Sequence, residues 1–476
     1  MVASEAHPFA KTGGLAEVVG ALPLALARLG HSVTLVLPRY RGTDVAGGVA
    51  REVTLDFGVR TKTVTLISKP LAERVTAVLV DAPDLFDRAG LYGEDGLDYD
   101  DNAWRFAVLS LAAIEHARQS NERPSIIHAH DWQAGMLPVF QKMVYSEDRF
   151  VGGVPVVFTI HNLAFQGVFP ASTLPGLGLG WDLLDVRALE YWGQISYLKG
   201  GVNFSERITT VSPTYAQEIL TPELGFGFDG ILRARAGDLT GILNGIDVER
   251  WNAAADPLVP ARFTADDLSG KADAKRALLE AVGLPSDEHT RARPLIGLIS
   301  RLTEQKGYDL IAEAIDDLMA LDASWVMLGS GEKQYEDGWR ALASRHPERV
   351  SATIGFDERL AHLIEAGSDM FLMPSHFEPC GLNQMYSHRY GTVPIVRATG
   401  GLADTVRDAA EEGGTGFTFQ QPTAAALVAA VRRALDSFAK PSQWKQIQTA
   451  GMRVDHSWDR SAREYVKVYE AATGRH

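Results

Sequence analysis

Three stretches of this sequence have residue types that could hold an anion: Lys11-Thr12-Gly13-Gly14-Leu15, Ser300-Arg301-Leu302-Thr303-Glu304-Gln305-Lys306-Gly307, and Thr399-Gly400-Gly401-Leu402. Each sits where a strand should hand over to a helix. Adjacent glycines at such a turn let the backbone approach a phosphate, and the helix N-terminus adds partial positive charge. Lys11 adds a full charge at the first turn. At the second, Arg301 offers a planar donor fork and Lys306 a point charge, a combination suited to a diphosphate. A tight turn with a solvated lysine explains the first stretch by itself, and a solvated basic loop explains the second. Three such turns in two halves of one chain are harder to dismiss. None is a Gly-x-Gly-x-x-Gly fingerprint or a P-loop.

A second constellation is His128-Ala129-His130-Asp131-Trp132. His128 and His130 are two apart at a strand end, so their side chains share a face. With Asp131 they could bind zinc; strand-end packing and hydrogen bonding to a sugar are the competing account. The nearest approach to a metal-binding Asp-x-Asp is Asp98-Tyr99-Asp100, with Asp229 elsewhere, and these read as solvated loop or helix-start acids. Cys380 at a helix start could have a depressed pKa, but no catalytic partner is visible beside it.

These residues must be positioned by a large scaffold. At 476 residues the chain exceeds what one core normally supports, so two domains are expected. The net charge of -14 disfavours nucleic acid as a partner. An anionic small substrate would therefore rely on locally placed Lys and Arg. A single cysteine rules out an intrachain disulfide and a Cys-rich zinc site. No apolar run approaches the roughly 18–20 residues that span a bilayer, and the N-terminus lacks a signal-peptide pattern. A soluble cytoplasmic protein with no membrane contact is expected.

Short apolar runs alternate with amphipathic stretches, the pattern of doubly wound α/β domains. Strands are expected at Ser32–Leu37, Ser125–His130, Val154–His161, Arg207–Val211 and Leu239–Leu243, with helices at Leu15–Leu29, Asp101–Gln119 and Trp132–Val144. Arg51–Val80 alternates and is rich in Val and Thr, which suggests a β insertion. The second half reads as strands at Pro294–Ser300, Trp325–Leu328, Asp369–Met373 and Val393–Val396, with helices at Gly307–Met319 and Gly381–Tyr390. Asn244 to about Lys271 has little periodicity, so the expected domains are 1–245 and 246–456. Residues 457–476 form a terminal helix with Trp458, Ala462, Tyr465, Val468 and Tyr469 at helical spacing. Only Met1–Ala3 precede Ser4-Glu5, where a central strand is needed: either that strand is very short or the N-terminus is incomplete.

The motifs also resemble a known family. Lys-Thr-Gly-Gly-Leu at 11–15, His-Ala-His-Asp-Trp at 128–132, Thr-Ile-His-Asn-Leu at 159–163 and Leu-Asn-Gly-Ile-Asp at 243–247 are similar to those of bacterial glycogen synthases and the related plant starch synthases. So are Ser-Arg-Leu-Thr-Glu-Gln-Lys-Gly at 300–307, Phe-Glu-Pro-Cys-Gly-Leu at 377–382 and Thr-Gly-Gly-Leu-Ala-Asp-Thr-Val at 399–406. The resemblance runs in family order from Ser4 to about Tyr469. It implies the α/β GT-B fold, two Rossmann-like domains facing across a deep cleft, with the terminal helix crossing back to the first. It further implies retaining transfer of glucose from ADP-glucose to the non-reducing end of an α-1,4-glucan, with no cofactor and no metal.

Carried over residue by residue, the resemblance puts Lys11 and Gly14 on the donor's phosphates. Arg301 and Lys306 would act on them too, helped by the turn of Thr399, Gly400 and Gly401. His161 would lie beside the donor glucose, with Asp131 and Asn162 orienting hydroxyls; Glu378, Cys380 and Gly381 would line the sugar's other side. Asn244 would reach the sugar, and Tyr92 is a further sugar contact. Glu378 and Asp131 are the carboxylates a double displacement would use, but the resemblance favours same-face transfer. Three positions depart from the usual pattern: His376 for Arg, Phe356 for Tyr near the base, and Asn383 for Thr. Phe356 keeps stacking area but lacks a hydroxyl, which bears on ADP- against UDP-glucose. The alternatives are another GT-B glucosyltransferase with a UDP-glucose donor or small acceptor, and an inactive glucan-binding protein.

Overall fold

The computed structural model describes residues 1–94, 96–120 and 122–474. The chain divides into two compact units. One comprises Met1–Val211, Ala216–Gly245 and the C-terminal residues from Trp458; the other comprises Ser212–Tyr215 and Ile246–Ser457. No helix among the described residues is long and apolar enough to cross a membrane.

In the first unit, helix α1 (Gly14–Arg28) leads into β1 (Val33–Pro38), β2 (Val49–Asp56), β3 (Thr61–Ala72) and β4 (Val75–Asp81). The β-rich insertion is thus an antiparallel β2–β3–β4 meander whose last strand, β4, runs parallel to β1. A second sheet has the order β8-β7-β6-β5, made of β5 (Ile127–His130), β6 (Val156–Ile160), β7 (Arg207–Thr210) and β8 (Leu239–Gly241), all parallel.

Met1–Ala3 joins the two sheets. Val2 bridges Val36 on one side and Ala129 on the other, both in parallel register. Its N–H donates to His128 O at 2.8 Å and its carbonyl accepts from His130 N at 3.0 Å. Met1 O accepts from Val36 N at 2.8 Å and Ala3 N donates to Val36 O at 3.2 Å, so three residues satisfy ladder groups that would otherwise be buried unpaired. This places Ser4 and Glu5 at the carboxyl edge between β1 and β5.

The second unit is a six-stranded parallel sheet. Its strands are β9 (Leu295–Ile299), β10 (Ser324–Gly329), β11 (Val350–Ile354), β12 (Met370–Met373), β13 (Val393–Arg397) and β14 (Phe417–Phe419). Their order is β11-β10-β9-β12-β13-β14, the doubly wound order whose direction of progression reverses between β9 and β12. Residues 246–270, which lack periodicity, are nevertheless pinned: Trp251 stacks on His362 at 3.9 Å and on Tyr386 at 3.8 Å.

Helix α2 (Trp458–Thr473) belongs to the first unit. Its apolar spacing buries Trp458, Ala462, Tyr465 and Val468 against Val18, Leu22, Leu26 and Ile242. Arg28 and Asp459 pair at 2.7 Å, but both are exposed, so packing does most of the holding. Truncating the fully buried Tyr465 to Ala should cost about 3–5 kcal/mol. The check is a lower chemical-denaturation midpoint for the transition that reports on this unit.

Candidate active site

In open α/β sheets a ligand sits outside the carboxyl ends of the strands, where the order reverses. In the second unit that point lies between the ends of β9 and β12. The segment after β9 carries Arg301 and Lys306; the segment after β12 carries Ser375, His376 and Glu378. Glu304–Lys306 is one turn of 3-10 helix closed by Gly307 at φ 78°. A Cβ at Gly307 would land on the carbonyl oxygen of Pro374, so only glycine allows the two segments this close. They are then laced together. His376 N donates to Gln305 O at 2.9 Å, and His376 Nε2 meets Asp309 at 2.8 Å. The histidine that stands in place of a frequent arginine is thus a bracing residue.

The result is a charge pair. Lys306 Nζ donates to Glu378 Oε2 at 2.6 Å, and Ser375 Oγ donates to the same oxygen at 3.1 Å. Both side chains are largely shielded, at 19% and 8% exposed. The Arg301 side chain, by contrast, is exposed and makes no hydrogen bond or ion pair with another described residue. A guanidinium with no partner among the described residues keeps its whole donor fork open to solvent.

The turn of Thr399, Gly400 and Gly401 packs directly on this segment. Gly401 N donates to Glu378 O at 3.1 Å, and a Cβ on Gly400, at φ 45°, would strike that same carbonyl. The glycines here serve backbone contact with residues 378–380. Cys380 is buried, and its carbonyl accepts from Gln384 at 3.0 Å. The following helix covers Asn383–Arg389 and starts after Gly381, two residues later than the sequence pattern suggests. Asn383 Nδ2 donates to Ile299 O at 2.7 Å, tying the helix to the end of β9. Phe356, after β11, is 83% exposed.

In the first unit the carboxyl ends of β5 and β6 bring Asp131, His161 and Asn162 together. Asp131 adopts φ 56° and ψ -179°, a conformation costing on the order of 1–3 kcal/mol for a residue with a side chain. It is held there because its N–H donates to Thr159 O at 2.9 Å. Its carboxylate turns back to accept from His161 N at 2.7 Å and from Asn162 N. Burial raises the Asp131 carboxyl from the ordinary 3.8 to about 7; those two N–H groups oppose the shift, and the Glu5 carboxylate adds to it. His161 Nε2 lies 3.0 Å from His130 Nδ1. Burial lowers His161 to about 3 and holds His128 and His130 well below the usual range. All three rings are neutral at pH 7.

His128 is otherwise engaged than in a metal site. Its Nδ1 meets Tyr469 OH at 2.8 Å and its Nε2 meets Thr159 Oγ1 at 2.6 Å. Among the described residues, no group of three or more His, Cys, Asp or Glu is arranged to hold a metal ion.

Glu5 is the residue that motif reading missed. Buried at the sheet's carboxyl edge, it accepts from Thr12 N, from Thr12 Oγ1 at 2.6 Å and from Tyr92 OH. Tyr92 OH also meets Ser4 Oγ at 2.7 Å. Glu5 thereby fixes the Lys11–Gly14 turn against Tyr92. The signal that could have found it is an acid directly following the expected central strand. Lys11 pairs with Glu17, one turn into α1, and remains partly exposed; Gly14 is the first residue of that helix. Asn244 follows β8, is buried, and leaves its Oδ1 without a partner among the described residues.

Comparison with known proteins shows the family. A family model described as the starch synthase catalytic domain matches residues 1–234, and one described as glycosyl transferases group 1 matches residues 286–450. The chain is 51% identical over 472 residues to a glycogen synthase of Anaeromyxobacter dehalogenans (strain 2CP-C), covering 98% of each chain. It belongs to the glycogen synthase family. A glycogen synthase of Koribacter versatilis is 46% identical, with 99% of this chain and 97% of that protein covered. Among solved structures, the catalytic domain of starch synthase IV from Arabidopsis thaliana, bound to ADP and acarbose, superposes with a TM-score of 0.90. It is 35% identical and covers 99% of this chain and 98% of its own. Sucrose-phosphate synthase from Thermosynechococcus elongatus, 16% identical at a TM-score of 0.61, shares the fold alone. The glycogen synthase family assignment makes this chain a glucan-extending glycosyltransferase of the GT-B fold.

The raised Asp131 pKa has a definite consequence for folding. Below about pH 4 the carboxyl is protonated in both states. Between about pH 4 and pH 7 the unfolded chain ionises while the folded one keeps its proton, so stability falls as pH rises. Asp131→Asn should flatten that decline, as measured by denaturant midpoints at pH 5 and pH 7.5.

Proposed function

We propose that the chain transfers glucose from ADP-glucose to the non-reducing end of an α-1,4-glucan with retention of configuration. Breaking the bond between the anomeric carbon and the phosphate oxygen leaves negative charge on the diphosphate and positive charge on the sugar. The observation that carries the reading is the Lys306–Glu378 pair at the strand-order reversal, with the exposed Arg301 on the same segment as Lys306. Lys306 and Arg301 form a fixed electrostatic clamp for the leaving group, in the place where many nucleotide-sugar enzymes use a divalent ion. Glu378 neutralises Lys306 and turns to the sugar's hydroxyls when phosphate takes over the ammonium.

On the first unit, Lys11 and the N-terminus of α1 add positive charge for the phosphates. His161 holds the glucose with its ring and stabilises the cationic sugar through its backbone carbonyl. The departing phosphate oxygen takes the proton of the acceptor hydroxyl on the same face, so no carboxylate nucleophile is needed. Asn162, Asn244 and Tyr92 orient hydroxyls, and Cys380 and Gly381 line the sugar. The ADP and acarbose in the starch synthase IV structure support a nucleoside diphosphate and a glucan as ligands.

Lys306→Ala should lower turnover by ~10²-fold or more, as for other lost transition-state donors. Near-normal turnover would remove the clamp. Incubation with labelled ADP-glucose and glycogen should extend α-1,4 chains, with UDP-glucose a poorer donor and EDTA without effect. Label appearing only in small products would point to another acceptor.

A further inference from the structure

Beside the substrate-facing residues stands a buried column of imidazoles. The rings of His128 and His130 lie 4.0 Å apart, and those of His130 and His161 lie 5.3 Å apart. Only the second pair is hydrogen-bonded, through His130 Nδ1 and His161 Nε2 at 3.0 Å. Two neutral rings share one such bond, so one nitrogen donates and the other accepts. The direction of that bond fixes the tautomer of both rings.

The surroundings choose the direction. His130 is fully buried, and its Nε2 has no hydrogen-bond partner among the described residues. A proton placed there would be an orphaned buried N–H, the rarer and more costly kind of unpaired polar group. The cheaper arrangement leaves Nε2 bare and puts the His130 proton on Nδ1. His130 then donates to His161 Nε2, which must be unprotonated, and the His161 proton sits on Nδ1. His161 Nδ1 bonds no described residue, and unlike His130 Nε2 it is not sealed from solvent. His161 Nδ1–H is therefore the donor left for a ligand.

We infer that His130 is a positioning residue for the transfer reaction: its Nδ1–H locks His161 as the Nδ1–H tautomer and so makes His161 a hydrogen-bond donor to the bound sugar. Asp131 performs the matching task for the backbone, holding His161 N at 2.7 Å. Ring and main chain of one residue are thus fixed by two consecutive residues of β5 and its end. Protonation does not blur the lock, because burial keeps both rings neutral at neutral pH. Behind His130 the column is closed by His128, itself held by Tyr469 of the C-terminal helix and by Thr159.

The inference rests on the reading that His161 contacts the donor sugar, and the test separates the two. In full-length protein labelled with ¹⁵N-histidine, long-range ¹H–¹⁵N spectra report each ring's tautomer, with His161 assigned by its absence in His161→Asn. The wild-type His161 signal should be that of the Nδ1–H form. His130→Asn places an amide N–H where Nδ1–H stood, and should keep the tautomer and most of kcat. His130→Phe removes the donor while filling the space; it should shift His161 toward the Nε2–H form and lower kcat by roughly 10-fold to 10²-fold at a similar melting temperature. A wild-type His161 protonated on Nε2, or His130→Phe turnover within about twofold of wild type, would overturn the inference. Full turnover by His161→Ala would instead refute the contact with sugar, leaving the tautomer result standing.

Discussion

The carboxyl edge of the second unit's sheet depends on how closely two backbone segments approach each other at the strand-order reversal. Gly307 lies against the Pro374 carbonyl and Gly400 against that of Glu378. Any side chain at either place would push the segments apart. Once they touch, Lys306 and Glu378 are forced into a short pair that neither could form from its own loop. Removing one member would leave a largely buried charge uncompensated, which generally costs about 3–5 kcal/mol. The pair holds the ammonium in neutralised form.

The first unit solves a different problem, the precise presentation of one histidine. Asp131 is held in a strained backbone conformation by the ladder bond to Thr159, and its carboxylate is turned onto the amides of residues 161 and 162. Strain of this kind survives only where the surrounding sheet over-determines it. Glu5 does comparable work for the glycine turn, gathering Thr12 and Tyr92 around one buried carboxylate. In both cases an acid serves as an organiser of N–H and O–H groups near the site. The terminal helix contributes too, since Tyr469 reaches His128 from the far end of the chain.

Much of this could be read from local pattern. The central strands of the two parallel sheets, β5–β8 and β9–β14, are apolar runs bounded by glycine or polar residues, and their ends carry the charged motifs. Strands β11 and β14 were harder to see: Val-Ser-Ala-Thr-Ile alternates weakly and Phe-Thr-Phe is too short to stand out. A strand reduced to one paired residue has no periodicity, so Val2 is legible only through the need for a central strand before Ser4-Glu5. The helix starting at Asn383 rather than Gly381 is a shift of the size that caps usually decide.

The sequence by itself determined the chemical inventory: cations at two strand ends, glycines at three turns, and a His-Ala-His-Asp run where a parallel strand stops. These are local properties, legible because residue type and short spacing set backbone freedom and charge. Tertiary structure alone decided which groups meet. Lys306 finds Glu378 across 72 residues and His161 finds Asp131 across 30, and the free nitrogen of His161 is set by a bond to another strand. Hydrogen bonding is short-ranged in space and indifferent to separation along the chain, so such partners become visible only once the sheets have brought their edges together.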